Sequence, residues 1–143
     1  IRQINENELV LLEIPLDSVK CYGMGSQNPV PEEYVLDEEE IGEIEQAVNG
    51  YNQTITAMAQ QFSIAKVDMA ATMKEAEENG LRYDGVGFTT EFVSGGLFSL
   101  DGIHLTGQGY AIVANQFISA INAEYNAEIP TVSVTDYSGI HFP

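Results

Sequence analysis

Apolar residues recur along this chain in patterns that change period from one stretch to the next. Ile41, Ile44, Val48, Tyr51, Ile55, Met58 and Phe62 stand three and four apart, which is one face of an amphipathic helix over about 38–62. Asp37 precedes it as an N-cap, and Glu40 is placed to close a capping box. Gly50 in its middle costs about 1 kcal/mol relative to Ala, which a buried stripe tolerates. Before this helix, Glu8-Leu-Val-Leu-Leu-Glu-Ile14 reads as a short strand, apolar on consecutive residues as in one covered on both faces. Between them, residues 15–34 are rich in Gly, Pro, Ser and Asn and predict an irregular loop, of a length more often functional than not. After the helix come a short strand at 63–67 and a second helix over about 69–79, ended by Asn79-Gly80. Residues 81–105 read as irregular, with glycines supplying turns. Thr106 caps a last helix over about 107–125, with Tyr110, Val113, Ala114, Phe117, Ile118 and Ile121 expected toward the core. A short strand at 131–134 completes the set. The order strand, helix, strand, helix predicts an α/β protein with a parallel sheet covered by helices. No internal repeat or domain boundary is evident, and 143 residues amount to one average domain.

Charge narrows the partners. With 22 acidic and 5 basic residues the net charge is −17, a field that repels nucleic acid and anionic lipid head groups. Glu32, Glu33, Asp37, Glu38, Glu39, Glu40, Glu43 and Glu45 crowd one stretch, and no Lys or Arg follows Arg82. The acidic run fits a solvated helix start, where carboxylates meet the positive end of the helix dipole, and it lacks the ligand spacing of a Ca²⁺ loop. No apolar run approaches membrane-span length, so no transmembrane segment is expected. The single cysteine, Cys21, forms no intrachain disulfide and has no base beside it in sequence, which favours an inert thiol.

Acid–base chemistry near neutral pH has two candidate imidazoles, His104 and His141. His141 sits close to the C-terminal residue, a poor place for pre-organised chemistry. His104 follows Asp101 by three residues in a glycine-rich stretch directly before the last helix. In a turn, that spacing can bring the carboxylate to the Nδ1 edge of the imidazole, fix its tautomer and leave Nε2 free to accept a proton. Spacing alone equally allows a helix-start Asp beside a loop His with no catalytic role.

The wider segment, Phe98-Ser-Leu-Asp-Gly-Ile-His-Leu-Thr-Gly-Gln-Gly-Tyr-Ala-Ile-Val-Ala-Asn115, closely resembles the last conserved block of SGNH/GDSL-type serine ester hydrolases. In that family a D-G-x-H-(P/L)-(T/N)-x-x-G-(Y/H) loop delivers the catalytic Asp and His and leads into the C-terminal helix. Tyr34-Val-Leu-Asp37, Tyr51-Asn-Gln-Thr54 and Phe88-Thr-Thr-Glu-Phe-Val-Ser-Gly-Gly-Leu-Phe-Ser99 extend the likeness, to a bacterial branch, over about 5–130. The resemblance implies the C-terminal portion of a three-layer αβα, flavodoxin-like fold with a parallel sheet. It makes Asp101 the triad carboxylate and His104 the general base, and it requires no cofactor and no metal. The activity implied is hydrolysis of a small-molecule or glycan ester through a serine acyl-enzyme. By the same analogy, export from a bacterial cell is common.

The family's other parts do not occur here. No Gly-Asp-Ser is present, the nearest sequence being Leu16-Asp17-Ser18, and there is neither a Gly-x-Asn-Asp nor a Gly-x-Ser-x-Gly. The expectation is a single, incomplete domain over 1–143 whose nucleophile-bearing N-terminal part lies upstream, so that this chain alone is inactive. Such a chain leaves an apolar face to be covered by rearrangement, by a homo-oligomer or by the missing part of the domain. The alternative is a nucleophile-less ligand-binding or interaction module of hydrolase ancestry. A nucleotide-binding domain is disfavoured, because no phosphate-cradling glycine loop joins a strand to a helix. The substrate-contacting loops are expected at 15–34 and 81–100.

Overall fold

The computed structural model describes residues 3–140. The chain divides into two compact units, 1–55 and 56–143. In the first, strand β1 (Leu9–Val10) pairs antiparallel with β2 (Val35–Leu36), in the register Leu9 to Leu36 and Val10 to Val35. Between them lies helix α1 (Leu16–Tyr22), which starts after Pro15 and ends where Gly23 turns left-handed. This helix corrects the expectation of irregular backbone over 15–34, and it carries the exposed Cys21. Helix α2 (Glu38–Phe62) begins in this unit with the capping box in place. The Asp37 carboxylate accepts from Glu39 N and Glu40 N at 2.9 Å, and Asp37 N donates to Glu40 Oε2 at 3.0 Å. No residue of α2 is buried, and Ile44, Val48, Tyr51, Ile55, Met58 and Phe62 all remain exposed. At its end Ser63 turns left-handed and Ile64 N reaches back to the Ala59 carbonyl at 2.9 Å, a Schellman-type closure.

The second unit holds the hydrophobic core. Helix α3 (Met69–Glu78) is capped by Asp68, whose side chain accepts from Ala71 N at 3.0 Å. Strands β3 (Leu81–Tyr83) and β4 (Val86–Phe88) form a hairpin whose two turn residues, Asp84 and Gly85, both have positive φ, the arrangement that favours Asp-Gly. Helix α4 (Gly107–Tyr125) follows, bounded as the sequence predicts. Ala76, Phe88, Leu97, Ala111, Ile112 and Val134 are buried together, with Leu81, Tyr83, Phe98 and Val132 packed against them. The buried face of α4 is therefore Ala111, Ile112 and Asn115, whereas Tyr110, Ala114 and Phe117 of the expected face point to solvent.

A polar residue occupies that core face because the backbone satisfies it. Asn115 donates to the Val132 carbonyl at 2.9 Å and accepts from Val132 N at 2.8 Å. Two turns further along α4, Asn122 clasps Ile129 in the same way, at 2.8 and 2.9 Å. The Asp84 carboxylate holds Val134 N at 2.6 Å, and Gln108 N donates to the Ser138 carbonyl at 3.1 Å. Residues 129–138 thus run back along α4 from its last turn to its first.

Helix and strand are mixed, and the strands are few. Among the described residues both sheets are two-stranded and antiparallel, one in each unit, in place of the expected parallel sheet. The run at 8–14 pairs over two residues only, and 63–67 and 131–134 form no strand. A parallel strand needs neighbours and cover on both faces; the first segment has one short antiparallel neighbour, and Leu9, Leu12 and Ile64 stay exposed. No helix is long and apolar enough to cross a membrane, among the described residues.

Candidate active site

The segment between β4 and α4 folds back on itself, and the fold-back presents the Asp-x-x-His turn. Phe98 bridges Leu105 antiparallel, while Ser99 N donates to the His104 carbonyl at 2.7 Å and Thr106 N to the Leu97 carbonyl at 2.8 Å. Gly102, at φ 73°, turns the chain between these two arms, a conformation an L side chain would strain. Thr106 then fixes the base of the turn to the helix. Its hydroxyl donates to the Gly96 carbonyl at 2.8 Å and accepts from Gly109 N at 2.9 Å as the N-cap of α4. Gly109 allows α4 to start this close, since a Cβ there would collide with the Leu97 carbonyl oxygen.

Within the turn, the two oxygens of Asp101 divide the work. Oδ1 accepts from Ser99 Oγ at 2.7 Å and from the backbone N–H groups of Ile103 and His104, each at 2.9 Å. Oδ2 lies 2.7 Å from His104 Nδ1. A carboxylate can only accept, so Nδ1 carries the proton of that hydrogen bond and, in the neutral ring, Nε2 is the acceptor. The Ile103 N–H, the Ser99 hydroxyl and the His104 ring and backbone N–H hold the Asp101 carboxyl well below the usual carboxylate range. The His104 side chain is 71% exposed, and Nε2 has no hydrogen-bond partner among the described residues.

The two residues singled out by spacing are thus brought into direct contact, in the orientation a general base requires. His141 lies outside the described residues. Of the two loops expected to contact substrate, 81–100 leads directly into the dyad, and 15–34 belongs to the other unit. Sequence reasoning missed Ser99, which fixes Asp101 Oδ1; a hydroxyl two residues before the Asp is the only local signal for it.

No protein-family model matches the chain, and no curated protein or solved structure matches it.

A carboxylate held ionised, an imidazole held in one tautomer and an open Nε2 make a base that can take a proton from a hydroxyl or from water. Among the described residues no serine, threonine or cysteine is hydrogen-bonded to Nε2, and Ser99 is committed to Asp101.

Proposed function

We propose that this chain supplies the acid–base half of a Ser-His-Asp ester hydrolase of the SGNH/GDSL type, with a serine contributed by residues outside this sequence. The observation that carries the proposal is the 2.7 Å contact between His104 Nδ1 and Asp101 Oδ2, with Nε2 facing solvent at the head of a helix. The close likeness of 98–115 to the family's last block supports it. On this reading the chain is the C-terminal portion of a three-layer αβα fold whose parallel sheet is built with strands that this sequence does not contain. The exposed apolar stripe of α2 is in keeping with a helix that has a further layer to cover.

In the proposed reaction His104 Nε2 accepts the serine hydroxyl proton as the serine oxygen attacks the ester carbonyl. Asp101 stabilises the imidazolium without taking its proton. The tetrahedral intermediate collapses as His104 returns the proton to the leaving alcohol, and an acyl-serine remains. Water, deprotonated by the same nitrogen, then releases the carboxylic acid and regenerates the serine.

The test is His104→Ala in the full-length protein, assayed against neutral p-nitrophenyl esters with the fold checked by circular dichroism. Turnover falls by at least about 10³-fold with the fold unchanged, as expected when a positioned base is removed. Turnover that survives the substitution refutes the role given to His104. A wild-type protein that turns over no ester returns the choice to a nucleophile-less binding module.

A further inference from the structure

The Asp101–His104 turn hinges on a glycine. Gly102 has positive φ, and a residue with no side chain leaves that conformation readily unless something holds it. The hydrogen bonds within the turn link residues 99–104 to one another, through Ser99, Gly102, Ile103 and His104. The Phe92 ring reaches the hinge from outside. A Cβ on Gly102 would meet its Cε2 at 3.4 Å and its Cδ2 at 3.6 Å, so the ring edge covers the place from which a side chain would project.

Phe92 is aimed there at a cost in backbone strain. Ser94 N donates to the Phe92 carbonyl at 2.9 Å, closing a three-residue turn centred on Val93, whose φ is 70°. A γ-turn of this hand is rare and strained, and a β-branched residue is poorly suited to its centre. Such strain persists only where the surroundings over-determine it. Here Thr89 N donates to the Gly95 carbonyl and Gly95 N to the Glu91 carbonyl, each at 2.8 Å. Gly95 permits that closure, since a Cβ there would collide with the carbonyl oxygens of Thr89 and Glu91. Phe88, just before Thr89, and Leu97, just after Gly96, are both buried in the core. The loop is therefore rooted at both ends and strained at its tip, and the strained residue adjoins the one that touches the hinge.

A segment that merely joined β4 to the turn would have no need of that strain. Building on the ester-hydrolase reading, we infer that Phe92 is a positioning residue, its ring braced by loop 89–95 against Gly102 so that the Asp101–His104 contact stays made. The brace bears on the hinge and not on the reacting atoms, so it acts on kcat through the fraction of molecules whose dyad is assembled. Without it Gly102 samples other φ values and Asp101 Oδ2 parts from His104 Nδ1. The imidazole then loses the tautomer that leaves Nε2 open.

The experiment uses the full-length protein, with kcat and KM measured on p-nitrophenyl acetate and the fold checked by circular dichroism. The ¹⁵N shifts of the His104 ring are recorded alongside, at a pH where the ring is neutral. Phe92→Ala is expected to lower kcat by about tenfold, the loss given by removing the contact of a partly covered aromatic ring, with KM within about twofold. Its ring shifts move from the Nδ1–H tautomer toward an average of the two. Phe92→Tyr keeps a ring over Gly102 and retains both the rate and the shifts. Gly95→Ala leaves Phe92 in place but opens the loop that aims it, and reproduces the effects of Phe92→Ala. Unchanged kcat and ring shifts in Phe92→Ala overturn the inference. So does a raised KM with kcat intact, which makes Phe92 a substrate contact. Ring shifts that stay fixed while turnover depends on His104 overturn the brace and leave the hydrolase reading standing. Ring shifts that move in Phe92→Ala, in a protein with no His104-dependent turnover, support the brace and overturn the hydrolase reading instead.

Discussion

Asp101→Asn isolates what the carboxylate does, because the turn dictates how the new amide must sit. Three donors converge on Oδ1: the Ser99 hydroxyl at 2.7 Å and two backbone N–H groups at 2.9 Å. The backbone donors cannot rotate away, so the amide oxygen takes the place of Oδ1. The NH₂ group is then left where Oδ2 faces His104 Nδ1 at 2.7 Å. A donor opposite a donor is repulsive, and the imidazole relieves it by moving its proton to Nε2. That tautomer cannot accept a proton from a serine. Amidation of the equivalent carboxylate in a serine hydrolase lowers kcat by about 10⁴-fold, and a loss of that order is expected here. Two measurements on the full-length protein check it: kcat with a neutral p-nitrophenyl ester, and the ¹⁵N shifts of the His104 ring, which report the tautomer directly. Ser99→Ala serves as the control, since both backbone donors still hold Oδ1, and it should cost far less. Activity of Asp101→Asn within tenfold of wild type, or a ring that keeps its proton on Nδ1, would refute the reasoning.

Two further outcomes follow from the same geometry. Asn115→Ala strands the N–H and carbonyl of Val132 behind a residue only 6% exposed, and should cost about 2–6 kcal/mol in urea unfolding, from roughly 1–3 kcal/mol for each of the two unsatisfied groups. Asn122→Ala breaks the same pair of bonds where water can replace them, and should cost under about 1 kcal/mol; equal losses at the two sites would contradict the burial argument. Asp101 also sets a pH dependence. Its pKa is depressed in the folded chain, so its stabilisation is complete above the ordinary carboxylate value and is lost only as pH falls through the lower, folded one. Carboxyl ¹³C NMR should accordingly find Asp101 ionised at about pH 4, where ordinary carboxylates are partly protonated; titration at or above the ordinary value would count against the bonding to Oδ1.

Features decided within one turn of chain were legible before the fold was known. Asp37 with Glu40, Asn79-Gly80, and Thr106 each mark a helix boundary through their own backbone neighbours, and the three long helices start or stop close to where those signals stand. The Asp101–His104 contact is of the same kind, a three-residue reach inside one turn. The hairpin over 81–88 also carries a local signal in Asp84-Gly85, which the expectation of irregular backbone passes over. What escapes the sequence depends on partners far along the chain. Whether 63–67 becomes a strand is decided by a neighbouring strand, and none pairs with it among the described residues. The buried face of α4 is turned from the expected one because Asn115 satisfies its amide on Val132, seventeen residues away. Ser99 shows the same limit at the site, its role appearing only once the turn closes on Asp101.

The two asparagine clasps on α4 grip main chain only. Each amide imitates the edge of a strand, offering one donor and one acceptor to the N–H and C=O of a single residue, and the identity of that residue hardly enters. Mutational freedom is therefore lopsided between the two sides of the contact. Positions 129 and 132 can change to almost anything that keeps an N–H and fits the space, proline being the clear exclusion. Asn115 has no such latitude: Gln is one methylene too long for the gap, Asp loses the donor, and an aliphatic residue abandons both groups. Drift within the strap should therefore run ahead of drift in the helix that holds it, even though each is useless without the other.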